Sequence, residues 1–259
     1  MLSKIAGKKI KTMNVLLEHI NSKTVEFSQK SIFQYLENDA VPIGDRLRFA
    51  PCMAHFVFSF MDINRFLLPD IAGNSACHKL INVHAAEDAW HWPWYLEDLQ
   101  TMQLDPCMPF SETVRFLWGE STRRSRLLSY QCIALIGRAT VIQKIAIVET
   151  IEITGKIFLE NTAKLCSLWK EAPAEMLYFG KNHADCETGH HMGTEDVTKY
   201  LESIVLDAQD TQACIEMVDV LFEFYENFAD EMLEFARKAS GLDVDSLFQV
   251  GALQDAMPQ

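Results

Sequence analysis

Five of the eight histidines fall inside two short windows, His84–His91 and His183–His191. In the first, HAAEDAWH, the polar residues His84, Glu87, Asp88 and His91 stand at offsets of 3, 4 and 7. That spacing puts all four on one face of a single helix. The flanking residues Ile81, Val83, Ala85, Ala86, Ala89, Trp90, Trp92, Trp94 and Tyr95 imply a buried helix, and buried carboxylates require partners. In the second window, HADCETGHH, His183, Glu187 and His190 lie at i, i+4 and i+7, again one helical face. His191 points about 100° away and belongs to an outer shell or the surface. Two neutral imidazoles and a carboxylate from one helix can hold a divalent first-row metal while leaving positions open. The competing readings are a polar seam between helices for the first window and a solvated or pH-sensitive histidine cluster for the second.

A third contributor is the segment IQKIAIVETIEITGKIF, which sets Glu149 and Glu152 among Ile142, Ile145, Ile147, Val148, Ile151 and Ile153. Two glutamates in an aliphatic helix are costly unless positive charge stands near. Their i, i+3 spacing lets both approach one site, one as ligand and one behind it, unless one of them faces solvent. The candidates then number three to four histidines and three to four carboxylates on three helices. That is too many for one ion and suits two. Carboxylate-bridged pairs of iron or manganese in helical cores are built from Glu and Glu-x-x-His pairs. Asp88-x-x-His91 and Glu187-x-x-His190 have that same i, i+3 form.

The fragment YFGKNHADCETGHH resembles the His-x3-(Asp/Glu)-x2-His signature of heme-oxygenase-like diiron oxidases and oxygenases. In that family an acidic ligand lies about thirty residues upstream, where Glu149 and Glu152 stand here. Further upstream comes a histidine with a carboxylate three or seven residues before it, here His91 with Asp88 at −3 and His84 at −7. The similarity in order and spacing covers roughly residues 50–191. It implies a heme-oxygenase-like multihelical bundle, two Fe(II) or a Mn/Fe pair, O2 as co-substrate and an external electron donor. The implied ligands are His84, Asp88, His91, Glu149, Glu152, His183, Glu187 and His190, with Glu87 and His55 as substitutes or outer-shell residues. The implied reaction is N-oxygenation, oxidative decarboxylation or C–C cleavage of a small amino-acid-like or fatty-acid-like substrate. The chain departs from the pattern at His84, where a carboxylate is often found, and at His55, near the place of an additional glutamate in some members. Asp62 follows His55 by seven residues on the same face. The fold is shared by thiaminase-II-like proteins, which use a cysteine nucleophile and no metal, and by proteins of the PQQ-synthesis type. Cys132 and Cys52 keep the thiaminase-like reading open, and a helical binding or interaction protein is a third reading.

The elements that must position these residues are helices. Only 11 glycines and 8 prolines occur in 259 residues, and no segment sustains period-2 alternation. The expected architecture is all-α, seven to nine helices in a single domain. Its parts are N-terminal helices over 1–45, metal-site core helices over 46–191 and C-terminal helices over 194–259. Within it, helices are expected at 13–37 with a break near Asn21–Ser22, at about 46–68, and at 75–103 with a kink at Pro93. A long helix or two in line follow over 122–168, with Gly137 and Gly155 as weak points. Pro173 opens a helix through Phe179; Thr194 and Thr211 cap the last two, and Gly241 ends the final one. Phe56 and Phe60 share a helical face and, with Trp90, Trp92 or Trp94, could wall a pocket, while Phe58 points elsewhere. Arg46, Arg48, Arg138 and Lys144 could pair with a substrate carboxylate or form surface salt bridges.

The net charge of −13 opposes binding to a phosphate backbone or an anionic membrane, so neither nucleic acid nor a membrane is an expected partner. Seven scattered cysteines without a CxxC pair suit a reducing compartment, and the expected location is cytoplasmic. The late apolar positions Val218, Leu221, Phe222, Phe224, Tyr225 and Phe228 are either core or the face of a homodimer.

Overall fold

A computed structural model describes residues 12–189 and 194–251, with side chains over 13–186 and 194–251. Every regular element among them is helical, and the number of long helices is close to that expected. The first is α1 (Thr12–Ser28), followed by α2 (Ser31–Leu36). No break occurs at Asn21–Ser22. Met13, Leu16, Ile20 and Phe27 form one buried stripe, and burying it outweighs the poor helix propensity of two polar residues.

The segment expected as one helix over 46–68 is segmented. After α3 (Ile43–Arg46) come a 3-10 turn over Ala50–Met53, α4 (Ala54–Asp62) and a π-helical turn over Ile63–Leu67. Pro51 lies in the 3-10 turn, and Leu68 N donates to Ile63 O at 2.8 Å to close the π turn. The next expected helix, over 75–103, is two: α5 (Ala76–Asp88) and α6 (Trp92–Thr101). Ser75 caps α5 as expected. Pro93 has no N–H for the Ala89 carbonyl and its ring would press on that group, so the chain breaks and the proline takes the first turn of α6. His91 therefore begins a new helix and does not continue the face of His84.

Then follow α7 (Phe110–Leu117), α8 (Arg123–Ile136) and α9 (Val141–Ser167). The chain breaks after Gly137, where a Thr140–Gln143 capping box starts α9, and runs unbroken through Gly155. Residues 173–179, expected as a helix, form a turn that leads into α10 (Lys181–Gly189). The remaining helices are α11 (Glu195–Ser203), α12 (Ala208–Ala239) and α13 (Val244–Leu247). Asp207 caps α12 in place of Thr211, accepting from Asp210 N at 2.8 Å. Gly241, at φ +75°, ends it as expected.

The 32-residue α12 is the spine, packed against α1, α8 and α9. Val218, Leu221, Phe222, Tyr225 and Phe228 are buried and belong to the core, while Phe224 is half-buried. One continuous apolar cluster runs from α1 to α13. No helix among the described residues is long and apolar enough to cross a membrane.

Candidate metal centre

The inward stripe of α5 is Cys77, Leu80, Ile81, His84, Ala85 and Asp88, all buried. His84 and Asp88 therefore occupy core positions of an amphipathic helix, one turn apart. Glu152 reaches them from the middle of α9, which packs along α5. His84 Nδ1 lies 2.6 Å from Glu152 Oε1 and His84 Nε2 lies 3.5 Å from Asp88 Oδ2. Their ligand atoms all fall within 4.8 Å of one another, in one group of three among the described residues. An ion with ligands at about 2.0–2.2 Å spans nearly that reach, and imidazole with two carboxylates suits a first-row divalent cation. The donor set fits a metal.

Glu149 stands one turn before Glu152. Burial pushes its pKa up to about 7, the Glu152 carboxylate adds to the rise and His84 opposes it. It is half-buried beside the triad and is not one of the three.

The second pair comes from other helices. His91 is the residue before α6, and His183 lies in the first turn of α10. His183 Nε2 is 3.0 Å from His91 Nδ1, and His183 Nδ1 donates to the Tyr178 carbonyl at 3.0 Å. Trp94 stacks on the His91 ring at 4.8 Å and 10°, which fixes its plane. A cavity of about 100 Å³ joins the two groups, with Asp88, Glu152, His91 and His183 all on its wall. The rest of the lining is mainly apolar, including Phe56, Phe60, Trp92, Phe158, Tyr225 and Phe228. Among the described residues no lysine or arginine lines it.

Other candidates fall elsewhere. Glu87 is half-buried on α5, about 100° round from Asp88, and does not line the cavity. His55 faces α8, with Nδ1 3.1 Å from Ser129 Oγ and its ring edge-on to Trp118 and Tyr130. Asp62 is exposed. Glu187 belongs to α10, but its side chain, together with His190 and His191, lies outside the described residues. Phe56 and Phe60 stack at 5.7 Å on the cavity wall, while Phe58 packs on Trp92 and Tyr95. Trp90 is exposed and takes no part. Arg46 donates to the Leu36 carbonyl, Arg48 pairs with Asp45, and Lys144 donates to the Leu68 carbonyl. Cys52 and Cys132 are fully buried away from the cavity lining. Burial raises both thiols, Cys132 to about 12, the reverse of what a nucleophile needs.

Three features of the site have no signal of their own in the two histidine windows. Tyr178 lines the cavity and accepts from His183. Gly155 lines it too, where a Cβ would meet nothing within 4 Å. Asp98 on α6 is fully buried and accepts from the amides of Leu177, Tyr178 and Phe179. Burial pushes its pKa up against the pull of those three donors. Its place in α6 one turn after Trp94 is the only hint in the sequence.

No protein-family model matches the chain, and no curated protein matches it.

Proposed function

We propose that the chain is an O2-activating non-heme diiron oxidase or oxygenase on a heme-oxygenase-like bundle. The observation that carries this reading is the meeting of the His84–Asp88–Glu152 triad with the His91–His183 pair on one apolar cavity. The triad would hold one ion. His91 and His183, with Glu187 and His190 from the rest of the second window, would hold the other, and Glu149 stands behind the triad. When bound, two ferrous ions supply the electrons that reduce O2 and the oxidant that attacks the substrate, with an external donor resetting them.

The protein's own residues orient and exclude. The stacked Trp94 holds the His91 plane, and His183 is held through its Nδ1–H. Phe56, Phe60, Phe158 and Phe228 keep water from the reacting face. Among the described residues no lysine or arginine stands on the wall to anchor a substrate carboxylate. The apolar lining fits the long alkyl chain of a fatty-acid-like substrate better than a small amino acid, while the carboxylate that both classes carry meets no described lysine or arginine there. Rapid mixing of anaerobically iron-loaded protein with O2 tests the reading. A transient visible band with O2 uptake, both lost in Glu152→Gln, is the expected result. Iron-loaded protein that takes up no O2 would remove the oxidase reading.

A further inference from the structure

We infer that Asp98 is a positioning residue for His183, acting through the turn that precedes α10. The chain of contacts begins at a fully buried carboxylate on α6, seven residues after His91. Its Oδ1 accepts from Leu177 N at 2.7 Å, and its Oδ2 accepts from Tyr178 N at 2.9 Å and Phe179 N at 2.8 Å. Three amide donors on one carboxylate are the charge-assisted kind of bond, short and strongly directional. They fix the peptide planes of residues 177–179.

Fixing those planes aims the Tyr178 carbonyl, which receives His183 Nδ1 at 3.0 Å. A carbonyl oxygen can only accept, so Nδ1 must carry the proton. The lone pair then belongs to Nε2, the nitrogen that stands 3.0 Å from His91 Nδ1 at the cavity wall. The turn is closed from its other end by Gly180, where any Cβ would meet the Met176 carbonyl oxygen at 2.0 Å. A helix that starts at one histidine of the pair thus carries, two turns later, the anion that sets the tautomer and direction of the other. An outer partner of a ligating imidazole commonly does this directly; here the carboxylate acts one peptide further out.

The metal consequence rests on the diiron reading, while the tautomer consequence does not. The first test is therefore made on metal-free protein, with ¹⁵N-labelled histidine rings observed by two-bond ¹H–¹⁵N correlation. Wild-type His183 should show a protonated Nδ1 and an unprotonated Nε2. Asn in place of Asp98 meets an amide donor with its own NH2, so Asp98→Asn should give a mixture of tautomers at unchanged helical circular dichroism. Co(II) affinity in the same variant should fall about 10- to 100-fold, the usual effect of losing an outer partner. Gly180→Ala disturbs the same turn with Asp98 intact and should reproduce the tautomer mixing. A wild-type His183 protonated on Nε2, or an Asp98→Asn protein whose His183 keeps Nδ1–H throughout, would overturn the inference. Normal tautomer results in a wild-type protein that binds no Co(II) would sink the metal reading and leave the positioning role standing.

Discussion

His91 Nδ1 and His183 Nε2 stand 3.0 Å apart across 92 positions of sequence. One starts α6 and the other sits at the start of α10, and Trp94 packs against both rings, parallel to His91 and edge-on to His183. Two nitrogens bound to one ion at about 2.1 Å and at right angles would be separated by about this distance. Next to them the triad brings two carboxylates to a buried imidazole, so the cavity wall concentrates donors that an apolar lining would otherwise exclude.

Glu152→Gln separates stability from metal binding. The substitution keeps the shape of the side chain and removes the like charge that helps raise Glu149. In metal-free protein that relief is set against the weakened contact with buried His84 Nδ1 at 2.6 Å, so the Tm should move by no more than about 2–4 °C. Fe(II) or Mn(II) should raise the Tm of wild type and raise that of the variant much less, since only binding to the folded state stabilises it. Calorimetric scans with and without metal make the comparison; an equal metal-induced rise in both proteins would take Glu152 out of the ligand set.

Gly155 gives the cavity room at the expense of helix stability. In the interior of α9 an added methyl meets nothing within 4 Å. Gly155→Ala should stabilise the chain by about 0.5–1 kcal/mol in urea unfolding. Gly155→Leu should fill the cavity and weaken binding of a fluorescent apolar probe. Probe binding unchanged by the leucine would mean that the cavity is not the binding space.

Thiol reactivity bears on the cysteine-nucleophile alternative. Cys107 is exposed, whereas Cys52, Cys77, Cys132 and Cys214 are buried. In native protein at neutral pH a thiol reagent should label Cys107 first and leave those four until denaturant is added. Rapid labelling of Cys132 in the folded chain, followed by loss of activity, would revive the thiaminase-like reading.

Glu231 predicts a pH dependence. Its carboxylate caps α8, accepting from Arg124 N at 2.6 Å and Ser125 N at 2.8 Å, and burial still pushes its pKa up to about 7. Between about pH 4.5 and 7 the folded chain holds this proton and the unfolded chain does not. Its contribution is therefore complete below pH 4.5 and is lost as the pH rises through 7. Wild type should lose on the order of 1–3 kcal/mol relative to Glu231→Gln between pH 5 and pH 7.5. Urea unfolding of both proteins at the two pH values measures the difference, and parallel curves would contradict it.

The sequence made the helical class and half of the site readable. His84 and Asp88 could be placed because i, i+4 residues share a face and that face is the apolar stripe of α5. Pro93 was readable as a disturbance, but whether a proline kinks or ends a helix depends on what receives the freed carbonyl, and here α5 stops. Pro173 is a helix-start signal and predicts a helix over 173–179, where the chain forms a turn instead. Its conformation is set by Asp98, about eighty residues away, through backbone amides that carry no side-chain signature. Asp207 replaced Thr211 as the cap of α12 because both types cap well and only the packing of the chain before it decides.

Metal content tests the account most directly. Metal-free protein loaded with Fe(II) under argon, freed of excess iron by gel filtration and assayed for iron should hold about two ions per chain. In His84→Ala the count should fall to about one or fewer with the helical circular dichroism retained. No iron in the wild type, or the full count in His84→Ala, would contradict a diiron centre built on these residues.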